Sequence, residues 1–460
     1  MLLVDAALNP SRPPLRLEVW RTLSLALPLI LAQLAQVSMG LIDTLMVGRL
    51  NGGALAGIAL GGNIFFFALI IGIGVMGAVG PTVSQAFGAG DLGTASRATR
   101  QSFYLALALT VPAFVLFWRA ESLLLLMGQE PQNAELAGAW LRAICWGYLP
   151  SLWLSGLRGL LEGLSKPRPI MLIAFLGVGL NVITNYTLIF GHFGFPALGA
   201  VGTGWASAFA YWVMFIAAAL YVRRALPALG IFDTFPRPDF SVLRNLFGIG
   251  LPIGLMSGFE SGLFTVTAIL MGTFGTVALA AHQIAIQTAS FTFMIPLGLA
   301  AATAVRVGQA AGRRDAVDAR RAGWIGIVLS VAFMSCTALT FWLIPERIAS
   351  FFLGADNPAN VPIIRTAVQF LAFAAAFQIF DGLQVSAAGA LRGFKDTRTP
   401  MLLSLVSYWG VGLLSGLLFA YAFGLGARGL WSGLVLGLVT AAVLLLGRFR
   451  RLVRIFEPEE

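Results

Sequence analysis

Gln33–Asp43 reads QLAQVSMGLID. Gln33, Gln36, Gly40 and Asp43 fall at i, i+3, i+7 and i+10, so a helix puts them on one face. Leu, Ile, Val and Met fill most of the remainder. The stretch is apolar enough for lipid yet carries a carboxylate well inside it. An ionisable group at that depth is costly, so it faces a bundle interior or a watery cavity and marks a transport path. The plainer alternative is a structural Asp satisfied by neighbouring hydroxyls.

Composition extends this reading to the whole chain. Of 460 residues, 58% are hydrophobic and 11% charged, whereas soluble domains carry about 25% charged residues. Apolar runs of about 20 residues or more predict helices rather than the shorter alternating strands of a barrel. The expected architecture is an all-α polytopic membrane protein with twelve transmembrane helices. Their expected bounds are 20–47, 53–79, 98–120, 134–161, 168–190, 199–222, 243–272, 276–304, 319–344, 361–388, 399–423 and 429–447.

The net charge of +10 does not indicate nucleic acid, because the basic residues cluster in short connections. Twelve spans put both termini on one side. That side collects 24 of the 30 Lys and Arg residues, among them Arg97, Arg100, Arg313, Arg314, Arg392, Lys395 and Arg398. Such a bias predicts cytoplasmic termini. Residues 1–19 contain Asp5, three prolines and Glu18, with no separate apolar region of a signal peptide. Cys145 and Cys336 lie in apolar segments and form neither a disulfide framework nor a metal motif.

A polar, Pro-containing linker at 225–242 divides the chain near its middle, between lobes at 20–224 and 243–447, with a tail at 448–460. The lobes repeat. VSQAFGAGDLGTASRA at 83–98 matches VGQAAGRRDAVDARRA at 307–322 in eight of sixteen positions, at an offset of 224. GLLEGLSKPRPIM at 159–171 meets GALRGFKDTRTPM at 389–401, where the offset has become 230. Six spans per half is an even number, so the two six-helix bundles share one orientation and are related by an axis along the membrane normal. Two such bundles around a cleft suit alternating access. The offset also pairs Pro28 with Pro252. Prolines inside spans free backbone carbonyls and permit bending, so both are candidate gates, or static kinks.

Three carboxylates lie deep in spans: Asp43, Glu260 and Asp381. Glu260 falls on the repeat of the opening stripe, and Asp381 sits on its own stripe with Gln378 and Gln384. Each is a candidate for binding a proton, Na⁺ or an organic cation, and competition for one site supplies the coupling that antiport requires. Gln36, Asn181, Asn185, Thr203, Gln283 and Gln287 are candidate supporting polar groups, with helix-packing hydrogen bonds as the alternative. Lone His282 is more naturally scaffold than proton carrier, and Glu162 an interfacial structural residue. No catalytic constellation appears, and no GxxxxGK[ST] phosphate loop, so neither an enzyme nor an ATP motor is expected.

Four segments carry a resemblance to a known family: PLILAQLAQVSMGLIDTLMVGRL, LRGLLEGLSKPRPIM, GFESGLFTVTAILMG with AAHQIA, and FDGLQVSAAGALRGFKDT. Together they resemble the multidrug and toxic compound extrusion (MATE) transporters, in the NorM-like branch. The resemblance implies a V-shaped two-lobed exporter of the bacterial inner membrane without a cofactor, working as a monomer. It implies efflux of organic cations such as dyes and fluoroquinolones, driven by entry of Na⁺ or H⁺. It places Asp43, Asn181 and Asn185 in an amino-lobe cation site, and Glu260 and Asp381 among carboxy-lobe coupling carboxylates. If the ion is Na⁺, these five are its expected ligands. The Asn181/Asn185 pair, where the other bacterial branch has an Asp, favours the NorM-like assignment and leaves the ion open.

Two other functions compete. A lipid-linked oligosaccharide flippase shares the architecture, but its anionic cargo calls for basic cavity residues, and the deep charges here are acidic. A receptor or scaffold without flux would not need a duplicated cleft with carboxylates in both halves.

Overall fold

The computed structural model describes residues 14–50, 52–233, 237–353 and 357–456. Expectations for residues 1–13 (Arg12 and the missing signal peptide), 234–236 of the linker and 457–460 of the tail lie outside the described residues.

The amino lobe contains α1 (Leu15–Gly48), α2 (Gly52–Met76), the short α3 (Val79–Gly88), α4 (Leu92–Leu126), α5 (Pro131–Gly163), α6 (Arg168–Phe190) and α7 (Val201–Ala225). The carboxy lobe contains α8 (Phe240–Gly272), α9 (Thr276–Gly312), α10 (Ala316–Leu343), the short α11 (Pro345–Phe352), α12 (Val361–Gly393), α13 (Arg398–Leu405), α14 (Leu414–Leu417) and α15 (Ala427–Phe456). Wide π-helical turns at Val406–Leu413 and Leu418–Ala422 fuse α13 and α14 into one span. Among the described residues, eleven helices are long and apolar enough to cross a membrane. The twelfth span, α5, is 33 residues long but carries Glu135, Arg142, Arg158 and Glu162. The chain is a multi-pass membrane protein with the twelve-helix architecture expected. Helix ends differ from expectation by a few residues. The largest differences are α15, which runs nine residues further to Phe456 and takes in most of the expected tail, and α9, which runs eight further to Gly312; α1 begins at Leu15, inside the expected terminal segment.

The repeat is visible in local chemistry. Asp91 and Asp315 occupy equivalent positions and both cap helices. The Asp91 carboxylate accepts from Thr94 N at 2.9 Å, and that of Asp315 from Asp318 N at 2.9 Å. Each satisfies a backbone donor left open at the first turn. It is visible in packing as well. The fourth span of each lobe, α5 and α12, is the hub against which its neighbours pack.

The lobes meet along the ends of α1, α2, α8 and α9 that lie nearest the basic clusters. α1 packs on α9, α2 on α8, and α3 on α9. Leu25, Ala26 and Leu29 meet Leu299, Ala302 and Val305 in one apolar seam. Val75 and Ala78 meet Leu246, Ile249 and Ile253 in the other. Glycine sets the separation. A Cβ on Gly88 would lie 2.1 Å from the Gln309 carbonyl oxygen, and one on its repeat mate Gly312 would lie 2.1 Å from the Gln85 carbonyl oxygen. A buried ion pair between Glu18 and Arg306 closes the same end, so Glu18 belongs to the lobe interface rather than to a loose terminus. Toward the opposite end the first helices separate. Nothing lies within 4 Å of the position a Cβ would take on Gly40 of α1 or Gly258 of α8. The lobes are thus packed together at the basic end, and open space lies beside both first helices toward the other.

Candidate cation and substrate sites

Asp43 lies in the last three turns of α1, facing α6 and α7. Its Oδ1 accepts from Asn185 Nδ2 at 2.6 Å, and its Oδ2 accepts from Ser207 Oγ at 3.0 Å. Asn185 Nδ2 also donates to Asn181 Oδ1 at 3.1 Å, and Asn181 Nδ2 donates to Ser207 Oγ at 3.2 Å. Asn181 and Asn185 share a face of α6 by their i, i+4 spacing, and both are fully buried. Asn185 Oδ1 is buried with no hydrogen-bond partner. The cluster therefore offers one carboxylate, two amide oxygens and one hydroxyl. This all-oxygen set suits a hard cation or a shared proton. Among the described residues no group of three His, Cys, Asp or Glu side chains stands together as a transition-metal site would require.

The structure assembles three of the residues expected here (Asp43, Asn181, Asn185) and adds Ser207. It does not bring Thr203 to Asp43. The Thr203 hydroxyl accepts from Trp140 Nε1 at 2.8 Å and donates to the Ala200 carbonyl at 2.9 Å, so it packs α7 on α5. Gln36 is also elsewhere. With Gln33 it accepts from Arg158 Nη1, at 3.5 and 3.3 Å, and Arg158 pairs with Glu162 at 2.6 Å. Glu162 is a structural ion-pair residue, as expected. Ser207 was missed because serine is common in spans. Its one signal is the i+4 spacing from Thr203, which marks a polar stripe on α7 continued by Tyr211.

The carboxy-lobe group is less satisfied. Asp381, Gln378 and Gln384 are buried on one face of α12. Gln378 Oε1 accepts from Thr292 and, at 3.2 Å, from Thr337 Oγ1. Asp381 Oδ1, both polar side-chain atoms of Gln384 and Gln378 Nε2 have no partner, nor do the hydroxyls of nearby Ser404, Ser407 and Tyr408. Buried polar atoms are seldom left unpaired. Gln384 still interacts with Asp381, and Ser404 with Tyr408, so the group is a polar cluster with hydrogen-bonding capacity to spare. Glu260 is half-buried on α8, within electrostatic reach of Asp381, Tyr408 and Arg392. Arg392 beside Glu260 was not foreseen. Gln283 and Gln287 are exposed. His282 is buried with its ring edge-on to Trp431 at 5.6 Å, inside an apolar cluster, which fits scaffold. Pro28 and Pro252 are buried within uninterrupted helices.

The family model MatE matches residues 28–187 and 252–418, one segment per lobe. The chain is 40% identical over 462 residues to the probable multidrug resistance protein NorM of Mesorhizobium japonicum, covering 100% of this chain and 99% of that one. It is 42% identical over 434 residues to the protein of the same name from Deinococcus radiodurans, covering 94% and 95%. It is 39% identical over 444 residues to the multidrug resistance protein MdtK of Pectobacterium atrosepticum, covering 95% and 96%. Among solved structures, the eukaryotic MATE transporter AtDTX14 superposes with a TM-score of 0.86 at 20% identity, covering 96% of this chain and 98% of that one. That level of identity speaks for the fold alone.

Proposed function

On the premise that this chain belongs to the MatE family, we propose that it is a multidrug efflux transporter that exports amphipathic organic cations in exchange for Na⁺ or H⁺. The observation that carries the reading is Asp43: a carboxylate inside a transmembrane helix, held by Asn185 and Ser207 from two other helices. A cation entering this oxygen cluster binds where Asp43 is preoriented. The unpaired Asn185 Oδ1 supplies a further ligand to Na⁺, or an acceptor for a proton carried on Asp43.

The carboxy-lobe cavity around Asp381 and Glu260 takes the second role. Its carboxylates attract a positively charged drug, and the half-exposed Phe264 offers an aromatic face nearby. Antiport requires that occupancy of one site disfavour the other. The cargo reading extends to dyes and fluoroquinolones. The protein acts as a monomer in the bacterial inner membrane with its basic end in the cytoplasm, consistent with the charge bias. No chemical step is needed.

The test is expression in cells stripped of their own exporters, with ethidium accumulation and fluoroquinolone resistance measured. Wild type should lower accumulation and raise resistance. Asp43→Asn, Glu260→Gln and Asp381→Asn should each lose most of that effect at equal membrane abundance. Full activity in all three variants would overturn the reading.

A further inference from the structure

An open pocket of about 570 Å³ lies at the basic end, away from Asp43 and Asp381. Its walls are the first turns of α8 (Ser241, Arg244, Asn245, Gly248) and the α12–α13 connection (Lys395 to Thr399). Three cations enter it: Arg244, Lys395 and Arg398. Among the described residues no hydrogen bond or ion pair occupies any of the three side chains. The one carboxylate in the lining, Asp396, is already taken, since its Oδ2 accepts from Arg448 Nε at 2.7 Å. Lys395 is held in place by its backbone. It sits at φ 62°, and its N–H donates to the Arg392 carbonyl at 2.8 Å. Burial pushes its ammonium below the ordinary lysine pKa, so a neighbouring anion would relieve a cost already present.

A second observation points to an anion. α13 begins at this pocket and Thr397 at its cap position makes no side-chain capping hydrogen bond. Pro400 has no N–H, so the N–H groups of Arg398 and Thr399 and the positive end of the helix dipole face the pocket. Phosphate oxygens match such a site, with several acceptors for a ring of guanidinium, ammonium and amide donors.

The rim decides where the phosphate comes from. Leu402 and Val406 continue the Arg398 face of α13 at i+4 and i+8, and both are exposed. Phe247 follows Arg244 one turn further into α8 and is exposed as well. Apolar surface thus runs from the charges toward the membrane interior, as acyl chains attached to a headgroup would need. The amino lobe repeats the feature only in part. Arg168 is the mate of Arg398, but Trp20 and Ser165 stand where the carboxy lobe has Arg244 and Lys395, and Ser165 Oγ is occupied as an acceptor for Gln309 Nε2 at 2.8 Å. Two of the three pocket cations are therefore particular to the carboxy lobe.

We propose that this pocket binds the phosphate headgroup of an anionic phospholipid. The bound lipid would sit two residues from Gly393, at the lobe seal, and brace the sealed state.

The test compares purified wild type, Lys395→Gln and the triple variant Arg244→Gln/Lys395→Gln/Arg398→Gln with a control, Arg223→Gln/Arg224→Gln, on the same face. Each is placed in phosphatidylcholine nanodiscs with and without phosphatidylglycerol, and retained lipid is counted by native mass spectrometry after release. Wild type and control should retain phosphatidylglycerol. Each neutralised charge should weaken retention about fivefold, and the triple variant on the order of a hundredfold. Millimolar inorganic phosphate should not displace the lipid. Equal retention in wild type and Lys395→Gln would overturn the proposal, and that single variant keeps the test valid should the triple variant misfold. Displacement by inorganic phosphate would show a soluble-anion site and overturn the lipid assignment.

Discussion

Gln85 Nε2 donates to the Gly393 carbonyl across the lobe interface at 2.8 Å, and its repeat mate Gln309 returns the contact to Gly163, the mate of Gly393, at 2.9 Å. Two hydrogen bonds related by the internal symmetry thus close the basic end. Both must break if the cleft is to open there. Each is worth about 0.5–1.5 kcal/mol. Removing both therefore favours the opened state by roughly 5- to 100-fold, since about 1.4 kcal/mol is a factor of ten. In a Cys145→Ala/Cys336→Ala background, a cysteine at buried Ser84 should react with a soluble maleimide several-fold faster in Gln85→Leu/Gln309→Leu. Unchanged labelling would mean that the pair does not hold the seal.

Gly88 and Gly312 impose a related constraint. Each faces a carbonyl oxygen at a distance no Cβ tolerates. Gly88→Ala and Gly312→Ala should each cost about 1–3 kcal/mol, read as a lower melting temperature. The two should match within error, because the sites are equivalent. A large asymmetry between them would argue against symmetric closure.

The Glu18–Arg306 pair makes a different prediction. Glu18 is 1% exposed, and Glu18→Gln leaves the Arg306 guanidinium unpaired in the interface. Such a loss costs about 3–5 kcal/mol, whereas replacing both partners with apolar residues is often neutral or better. Thermal unfolding in detergent should show Glu18→Gln strongly destabilised and Glu18→Leu/Arg306→Met largely restored.

Thr203 and Ser207 lie one turn apart on α7 yet should behave oppositely. Ser207→Ala removes a donor to the Asp43 carboxylate, a bond worth about 1.5–3 kcal/mol. It should weaken the cation dependence of transport on the order of tenfold or more. Thr203→Ala orphans the Trp140 indole N–H. It should lower the melting temperature and leave cation dependence unchanged. Titrating efflux against Na⁺ and pH for both variants separates the roles.

Much of this was legible in the residues. Hydropathy located the spans, because a lipid-crossing helix leaves a long apolar run. The eight identities in sixteen positions between 83–98 and 307–322 exposed the duplication, and those segments contain Gln85, Gly88 and Asp91 with their mates. Periodicity placed Asp43 on a polar face and Asn181 beside Asn185. What stayed hidden depends on contacts between distant segments. Ser207 joins Asp43 across 164 residues of chain, and Gln85 reaches Gly393 across 308. Neither distance leaves a local pattern. Glu18 fell in the expected terminal segment, and only its packing against Arg306 shows that it belongs to the lobe interface. Gln36 and Thr203 have the right chemistry but are drawn away by Arg158 and Trp140, residues outside any polar stripe. The π-helical turns at Val406–Leu413 left no sign in a segment that reads as a plain span. There Gly412 and Gly416 lie close against Gly433 and Gly437 of α15, a fit set by the neighbouring helix.

The central claim is that cation entry at Asp43 drives drug export. It is tested most directly by ethidium efflux from proteoliposomes under an imposed Na⁺ gradient and, separately, an imposed pH gradient, for wild type and Asp43→Asn. The account predicts export by wild type under at least one gradient and loss of that driven component in Asp43→Asn. Gradient-driven export that survives intact in Asp43→Asn, or no export by wild type under either gradient, would contradict it.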